Sequence, residues 1–269
     1  MLTVSRKNRS AQIFLFLLIG AVVGLVMSYA ADMPNKVFFV IILGLAFPFA
    51  TLLIQDLRRF LIVATILTLP IHFDINFMHV FERQAGAATA GISLTDIFLL
   101  GLFLIWIVEL ASEDRPYAVF FARLSIPAIL YFEAAALSML WAPRLDLAFM
   151  EVFRMFKVFL LYLILINHIR DKQDLRLAVW ALMGTVAFEG LIAGMQIIKG
   201  GRLGLAFLGE APPDPDGDSS MWRVMGTLGH PNKLATYIES LLLLSVGMFL
   251  VEKKKILRFV SLAIFSLGR

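Results

Sequence analysis

The sequence predicts an all-α fold, a polytopic bundle of transmembrane helices. Hydrophobic residues make up 60% of the chain, charged residues only 16%, and the mean hydropathy is +0.85. Apolar runs near the ~20 residues that a spanning helix needs recur along the whole chain. This composition excludes a water-soluble globule, and the net charge of +4 comes from basic residues in short loops. We therefore expect a lipid bilayer as a partner and no nucleic acid.

About nine hydrophobic segments follow one another, and we expect them to form a single membrane domain over residues 1–269. If the N-terminus is cytoplasmic, 14 of the 24 basic residues lie on the cytoplasmic side and nine on the opposite side. The positive-inside rule thus predicts a cytoplasmic N-terminus. The predicted segments are 11–30, 37–55, 58–72, 94–111, 125–141, 152–168, 175–198, 234–251 and a last one from Ile256.

Two of the predicted outer loops, residues 73–93 and 199–232, are longer than a simple connection requires. The first mixes apolar and polar residues, and we expect it to lie along the membrane interface as a short amphipathic piece. Four ionisable residues in or beside this loop could suggest a metal site: His72, Asp74, His79 and Glu82. Their spacing matches no recognised ligand pattern, and the absence of cysteine excludes thiolate ligands, so we expect interface packing instead.

The most informative stretch is Arg223-Val-Met-Gly-Thr-Leu-Gly-His-Pro-Asn232, which directly precedes the eighth segment; we refer to it as the signature loop. Gly226 and Gly229 allow the backbone to turn tightly, and Pro231 restricts His230 to an extended conformation. We expect Asn232 to be the N-cap of the following helix. An ordinary capped loop before a membrane helix is one interpretation of this pattern.

The other interpretation is an anion site. Free N–H groups at a helix start attract negative charge, and the guanidinium of Arg223 can bind a phosphate through two hydrogen bonds. The sixth segment adds Arg154 and Lys157, which share one helix face with Glu151 near the outer end. These two cations either bind a diphosphate or form ion pairs with Glu151 and with Glu133 of the fifth segment.

Glu189 and Glu239 are further ionisable residues inside predicted spans, where a charge is costly. Each is either a structural partner of a buried arginine or a proton-transfer group. Glu239 stands seven residues after Asn232, about 10 Å along the helix axis, within reach of a substrate headgroup.

The pattern Arg223-x-x-Gly-Thr-x-Gly-His-Pro-Asn-x-x-Ala235 at the start of a span resembles the signature of the bacterial O-antigen ligase and O-antigen polymerase superfamily, which includes O-oligosaccharyltransferases. Looser matches are Ser93-Leu-Thr-Asp96, Ser138-x-x-Trp141 and the spacing from Ala148 to Arg154 and Lys157. Members usually continue with a large outer loop that bears an essential histidine and with further spans. We therefore expect this chain to be the N-terminal portion of a longer domain, truncated at its C-terminus.

The resemblance implies a membrane glycosyltransferase of the bacterial inner membrane. Such an enzyme transfers a glycan from an undecaprenyl-diphosphate carrier to another glycan, to lipid A core or to a protein hydroxyl, in lipopolysaccharide or exopolysaccharide biosynthesis. It implies that Arg223, Arg154 and Lys157 bind the diphosphate, and that Gly226, Gly229, His230, Pro231 and Asn232 form the site loop. No metal, nucleotide or other cofactor is implied.

The catalytic base is not identified by the resemblance, because the family's histidine-bearing loop would follow these residues. His230 and Glu239 are weak candidates, and we expect residues 1–269 alone to be inactive. The competing interpretation is a transporter or lipid-carrier flippase. Charges clustered at the outer leaflet favour the transferase, whereas a file of charges across the midplane favours transport.

Overall fold

A computed structural model describes residues 54, 56–72, 74–79, 89–112, 125–210 and 223–267 of the chain. The chain divides into two compact units, Met1–Leu57 and Arg58–Arg269, and the second contains nearly all of the described residues. The predicted segments 11–30 and 37–55 lie outside the described residues, apart from Ile54. A single membrane domain over residues 1–269 stays a prediction.

The described part of the chain is helical apart from one β-hairpin, so the predicted helical class is confirmed. The helices are α1 Leu57–Leu67, α2 Leu94–Ala111, α3 Ser125–Ser138, α4 Leu145–His168, α5 Lys172–Lys199, α6 Pro231–Val251 and α7 Lys255–Leu267. Two short 3-10 helices, Met139–Trp141 and Ala206–Leu208, extend α3 and follow α5. The strands of the hairpin are β1 Asp74–His79 and β2 Thr89–Ser93.

Three of these helices, α2, α5 and α6, are long and apolar enough to cross a membrane. Only 11% of the most apolar 18-residue window of α6 is buried, so most of its apolar surface faces outward. An exposed apolar surface of this size on a 21-residue helix fits lipid better than water. The membrane class is thereby supported by three spans, while about nine spans stay a prediction.

Two helices differ in length from the apolar segments that predicted them. α1 covers 11 residues instead of all of 58–72, which is roughly 16 Å and about half of a bilayer core. α4 begins at Leu145 instead of residue 152, because a helix can continue past the apolar run that marks the membrane. The part of α4 from Leu145 to Lys157 carries charged side chains, including Arg154 and Lys157.

The first long loop forms a β-hairpin, while its predicted place along the membrane interface stays a prediction. β1 and β2 are antiparallel, with Asp74 opposite Ser93 and His79 opposite Thr89, and the register is irregular between Asn76 and Met78. Backbone pairing satisfies the N–H and C=O groups that an isolated interfacial strand would leave without partners. β2 leads directly into α2, positioning the start of that helix.

The start of α2 is a capping box. The Ser93 hydroxyl accepts a hydrogen bond from the Asp96 backbone N–H, and the Asp96 carboxylate accepts one from the Ser93 backbone N–H. The prediction that Ser93-Leu-Thr-Asp96 begins this helix is confirmed. Asp96 is thereby held at the junction between the hairpin and α2.

One end of the helices is held together by arginine–carboxylate pairs. This end consists of the first turns of α1 and α5 and the last turns of α2, α4 and α6. The pairs join different elements: Arg58 and Arg59 bind Asp174, Arg170 binds Glu109, and Arg176 binds Glu252. The predicted cytoplasmic basic residues among these thus gather at a single end, while the cytoplasmic orientation itself stays a prediction.

α5 is the helix around which α6 and α7 pack. Met183 and Val186 of α5 form a buried cluster with Ile264 of α7, and side chains of α6 pack against it. The Tyr237 hydroxyl of α6 donates a hydrogen bond to the Thr185 hydroxyl at 2.7 Å. These contacts fix the start of α6, and with it the signature loop, against the C-terminal half of α5.

Candidate functional site

The signature loop is a buried turn at the end of the bundle opposite the arginine–carboxylate pairs. Its central residues are buried, although they belong to a connecting loop: Met225, Gly226, Thr227 and Leu228. Gly226 has a φ of 57° and Gly229 a φ of 70°, both in the left-handed region that glycine tolerates best. The predicted tight turn at the two glycines is confirmed.

The side chain of Glu189 in α5 holds this turn through hydrogen bonds to Thr227. Its side chain is fully buried, and its carboxylate accepts hydrogen bonds from the Thr227 backbone N–H at 3.0 Å and from the Thr227 hydroxyl. A Cβ atom at Gly226 would overlap the Oε2 atom of Glu189 and lie 3.0 Å from a methyl carbon of Leu234. Glu189 is therefore a structural partner, as one prediction had it, but of the loop instead of an arginine.

Gln196, two turns further along α5, holds the same loop with its side-chain amide. Its Oε1 atom accepts hydrogen bonds from the backbone N–H groups of Met225 and Gly226, at 3.2 and 3.0 Å. Its Nε2 atom donates to the Glu210 carboxylate at 2.7 Å and to the Gly226 carbonyl at 3.3 Å. Both acceptor positions of the amide oxygen and both amide hydrogens of this buried side chain are thus occupied.

Glu210 closes the turn that follows α5. Its carboxylate accepts hydrogen bonds from the backbone N–H groups of Leu203, Gly204 and Leu205, at 2.8, 2.8 and 2.7 Å. Burial alone would raise the pKa of Glu210, but these N–H groups and the Gln196 amide lower the pKa below its ordinary value. Glu210 is thus an ionised carboxylate that fixes a loop near the signature loop.

The segment that precedes the hairpin joins this arrangement. The Thr227 hydroxyl oxygen also lies 3.1 Å from the Pro70 carbonyl oxygen, so that this carbonyl and the Glu189 carboxylate share the single hydroxyl hydrogen, and the His72 backbone N–H donates to the Leu208 carbonyl at 3.0 Å. Gly209 has a φ of 112°, and a Cβ atom there would lie 2.6 Å from the Cβ atom of His72. Residues 70–72, 205–210 and 225–229 consequently form one tightly packed layer.

His230, not Asn232, is the N-cap of α6, so the prediction of an Asn232 cap is wrong. The Nδ1 atom of His230 accepts a hydrogen bond from the Asn232 backbone N–H at 3.1 Å, and Pro231 is the first helical residue. Proline is favoured at that position because its fixed φ suits the helix and it has no N–H to satisfy. His230 is extended, as Pro231 predicts, with a φ of −153°.

Arg154 and Lys157 lie on the wall of a cavity of about 290 Å³ between α4, the start of α2 and the segment before the hairpin. The Arg154 guanidinium pairs with Glu151 at 2.6 Å, as predicted for one interpretation. Lys157 pairs with Asp96 at 2.5 Å and donates to the Gly91 carbonyl at 3.1 Å, so the predicted alternative partner Glu133 is not its partner. The polar lining comprises His72, Ser93, Thr95, Asp96, Arg154 and Lys157.

A second cavity, apolar and about 470 Å³ in volume, lies directly beside the first. It runs between α2 and α4 and shares Asp96, Leu99 and Lys157 with the polar cavity. Apart from Gly91, the remaining walls are hydrophobic side chains: Ile92, Leu100, Phe103, Phe153, Phe156, Leu160 and Ile164. The Lys157–Asp96 pair therefore marks the boundary between a polar and an apolar compartment.

The structure does not bring all predicted site residues together. Arg223 is exposed and forms no hydrogen bond or ion pair within the described residues, and it is not on the wall of the polar cavity. Glu133 and Glu239 are exposed, on α3 and α6. Lys157 and Arg154 share the cavity, while the signature loop reaches it only indirectly, through Thr227 and the Pro70–His72 segment.

Sequence reasoning missed Gln196, Glu210 and the position of His72. The hydrogen bonds of Gln196 and Glu210 link segments far apart in sequence, so no local pattern signals them. A candidate metal cluster of three or more His, Cys, Asp or Glu residues does not occur in the described part of the chain.

Comparisons with protein-family models, with curated proteins and with solved structures find no match to this chain. The resemblance to the O-antigen ligase and polymerase superfamily therefore depends on the quoted residues alone and stays a prediction.

Proposed function

We propose that the protein is a membrane glycosyltransferase that moves a glycan from undecaprenyl diphosphate to an acceptor, in the manner of an O-antigen ligase or polymerase. The observation that carries this proposal is the polar cavity with two cations that opens beside an apolar groove. A lipid diphosphate has the same two parts, an anionic headgroup and a hydrocarbon chain. The signature loop, which is folded against α5, gives separate support, because it carries the residues that resemble the family signature.

In this proposal Arg154 and Lys157 bind the diphosphate, and the first isoprenoid units lie between α2 and α4. The Arg154 side chain is 61% exposed, and an exposed ion pair such as that with Glu151 contributes only about 0–1 kcal/mol. A diphosphate can therefore replace Glu151 at small cost. Lys157 already points to the boundary between the two cavities, where the bond between lipid and phosphate would lie.

The cations would also act in the reaction itself. As the glycosidic bond breaks, negative charge develops on the departing diphosphate oxygen, and nearby cations stabilise that charge. Arg223 lies on the signature loop and is exposed, which leaves its guanidinium available to the glycan-proximal phosphate or to the glycan. The acceptor would be another glycan, lipid A core or a protein hydroxyl, at the outer face of the bacterial inner membrane.

A transporter or flippase receives less support from the same residues. Glu189 is engaged by the Thr227 backbone and hydroxyl, so its carboxylate serves the loop and not a pathway. Glu133 and Glu239 are exposed on separate helices. Within the described ranges, these three glutamates lie on three different helices, and no hydrogen bond or ion pair joins one to another, which does not favour a file of charges across the bundle.

Binding of undecaprenyl diphosphate to the purified full-length protein in nanodiscs tests the proposal. We expect Arg154→Gln and Lys157→Gln each to weaken binding about tenfold or more, because each removes a charge-assisted hydrogen bond worth about 1.5–3 kcal/mol. Arg144→Gln is the matched control, since Arg144 pairs with Asp146 and does not line the cavity. Equal binding by all three variants would contradict the assignment of the diphosphate to this cavity.

Deletion of the gene separates the transferase from the flippase. Loss of a transferase should leave the undecaprenyl-linked glycan on the outer leaflet, accessible to a membrane-impermeant glycosidase added to spheroplasts. Loss of a flippase should leave the glycan on the inner leaflet, protected from that enzyme. Accumulation of the protected form would therefore overturn the proposed function.

A further inference from the structure

A third cavity, of about 510 Å³, opens between the start of α5 and the turn that joins α6 to α7. It lies at the end of the bundle that carries the arginine–carboxylate pairs. We refer to it as the basic cavity, because four positive groups and one negative group on its wall leave a net charge of +3. These charged residues are Lys172, Arg176, Lys253, Lys254 and Glu252.

Only one of the four cations is paired within the described residues. Arg176 binds the buried carboxylate of Glu252. The same carboxylate accepts hydrogen bonds from the backbone N–H groups of Lys253 and Lys254, at 3.0 and 3.2 Å, and so fixes the turn that carries these two lysines. The ammonium groups of Lys172, Lys253 and Lys254 form no ion pair with any described residue. Three like charges therefore line one cavity without a counter-charge.

Helix stability does not account for the basic side chain at the start of α5. Lys172 is the first residue of that helix, where the unpaired backbone N–H groups already contribute partial positive charge. A cation is unfavourable at this end of a helix, and the lysines of the facing turn add to the repulsion. A bound anion would remove both costs.

The rest of the cavity wall is apolar and extends away from the helix ends. Leu175 and Val251 are 54% and 76% exposed, and Val179 and Met248 lie about one turn further along α5 and α6. Both helices are long and apolar enough to cross a membrane. The cavity thus presents cations at the helix ends and hydrocarbon towards the middle of the helices, which suits a ligand with an anionic head and an apolar tail.

We propose that the basic cavity binds the phosphate headgroup of an anionic phospholipid, whose acyl chains lie along the apolar wall between α5 and α6. A free phosphate shares the anionic chemistry but leaves the apolar wall uncovered. A zwitterionic lipid brings its own ammonium group next to the three lysines. The positive-inside rule predicts this end to face the cytoplasmic leaflet, where anionic lipids give the surface a negative potential. The site is separate from the polar cavity and does not depend on glycosyl transfer.

Lipid binding to the purified full-length protein in detergent tests the proposal. Native mass spectrometry measures the Kd of phosphatidylglycerol and of phosphatidylethanolamine with the same acyl chains. We expect phosphatidylglycerol to bind at least tenfold more tightly. Lys172→Gln, Lys253→Gln and Lys254→Gln should each weaken its binding about fivefold, and the triple variant about 50-fold or more.

Two control variants separate the cavity from general surface charge. Lys255→Gln removes an exposed lysine of the same turn that does not line the cavity, so it should change the Kd less than twofold. The triple variant with arginine at Lys172, Lys253 and Lys254 keeps the charge and should bind within about threefold of the unmodified protein. Arg176 stays unchanged in all variants, because its loss would leave the buried Glu252 without its cation.

Thermal unfolding gives a second measurement, because a lipid that bridges α5 and the α6–α7 turn stabilises the folded protein. At ten times its Kd, phosphatidylglycerol should raise the Tm by about 3 °C or more, and this shift should disappear in the triple glutamine variant. Equal binding of the two lipids, or an equal loss in Lys255→Gln, would reduce the effect to diffuse attraction and overturn the site. Displacement of the lipid by millimolar inorganic phosphate would show a site for soluble anions instead. None of these results would change the assignment of the diphosphate to the polar cavity, which Arg154→Gln and Lys157→Gln test.

Discussion

Gly226 lies where the backbone of the signature loop passes directly over the carboxylate of Glu189. Its positive φ and the absence of a side chain allow Thr227 to reach that carboxylate with both its N–H and its hydroxyl. The glycine is predictable from the sequence pattern, because a turn before a helix favours it. The contacts of Glu189 and Gln196 with the loop are not predictable in this way, because these residues lie 38 and 30 residues before their partners.

Gly226→Ala should therefore destabilise the protein by about 1–3 kcal/mol, from backbone strain at a positive φ and from overlap with Glu189. Gly194→Ala is the matched control, because a Cβ atom there meets nothing within 4 Å and alanine is the better helix former. Thermal unfolding in detergent measures both. Since Glu189→Ala removes the overlap, Gly226→Ala should cost less in that background, and equal costs in both backgrounds would contradict the contact.

At the scale of elements, the two long loops that the sequence places on the outer side show where local patterns succeed and fail. Asp74-Ile-Asn-Phe-Met-His79 alternates polar and apolar residues over part of its length, a period of two that indicates a strand, but pairing with residues 89–93 is needed to form one. The predicted cap of α6, Asn232, lies two residues after the observed one, because asparagine is the commoner cap. In the structure the imidazole of His230 takes that place.

The cap predicts an order among substitutions at the start of α6. His230→Ala should lower stability by about 1 kcal/mol, because the Asn232 backbone N–H loses its acceptor, whereas His230→Asn should restore most of that loss. Asn232→Ala should have a smaller effect than His230→Ala, since Asn232 contributes its backbone and not its side chain. Hydrogen exchange of the first turn of α6 measures the fraying. A larger effect of Asn232→Ala would show that asparagine is the cap after all.

At the scale of the whole molecule, the described residues have two chemically different ends. One end carries the arginine–carboxylate pairs between the helix ends, and the other carries the hairpin, the signature loop and the polar cavity. The distribution of basic residues in the sequence was sufficient to predict this separation. Successive spans run in opposite directions, so every second loop lies at the same end, and the basic residues are concentrated in one of the two sets of loops. The cavities could not be predicted, since they depend on how α2 and α4 pack side by side.

The proposed chemistry requires the cavity end to face away from the cytoplasm, and cysteine labelling can determine its side. Residues 1–269 contain no cysteine, so each introduced thiol is the only one among them. Arg144→Cys and Lys233→Cys, at the cavity end, should react with a membrane-impermeant maleimide in intact spheroplasts. Lys172→Cys and Lys254→Cys, at the opposite end, should react only after permeabilisation, because the positive-inside rule places these basic residues in the cytoplasm. All four residues are exposed, so access to the reagent and not burial decides the result. The reverse pattern would place His72, Arg154 and Lys157 on the cytoplasmic side and would contradict transfer of a glycan at the outer face.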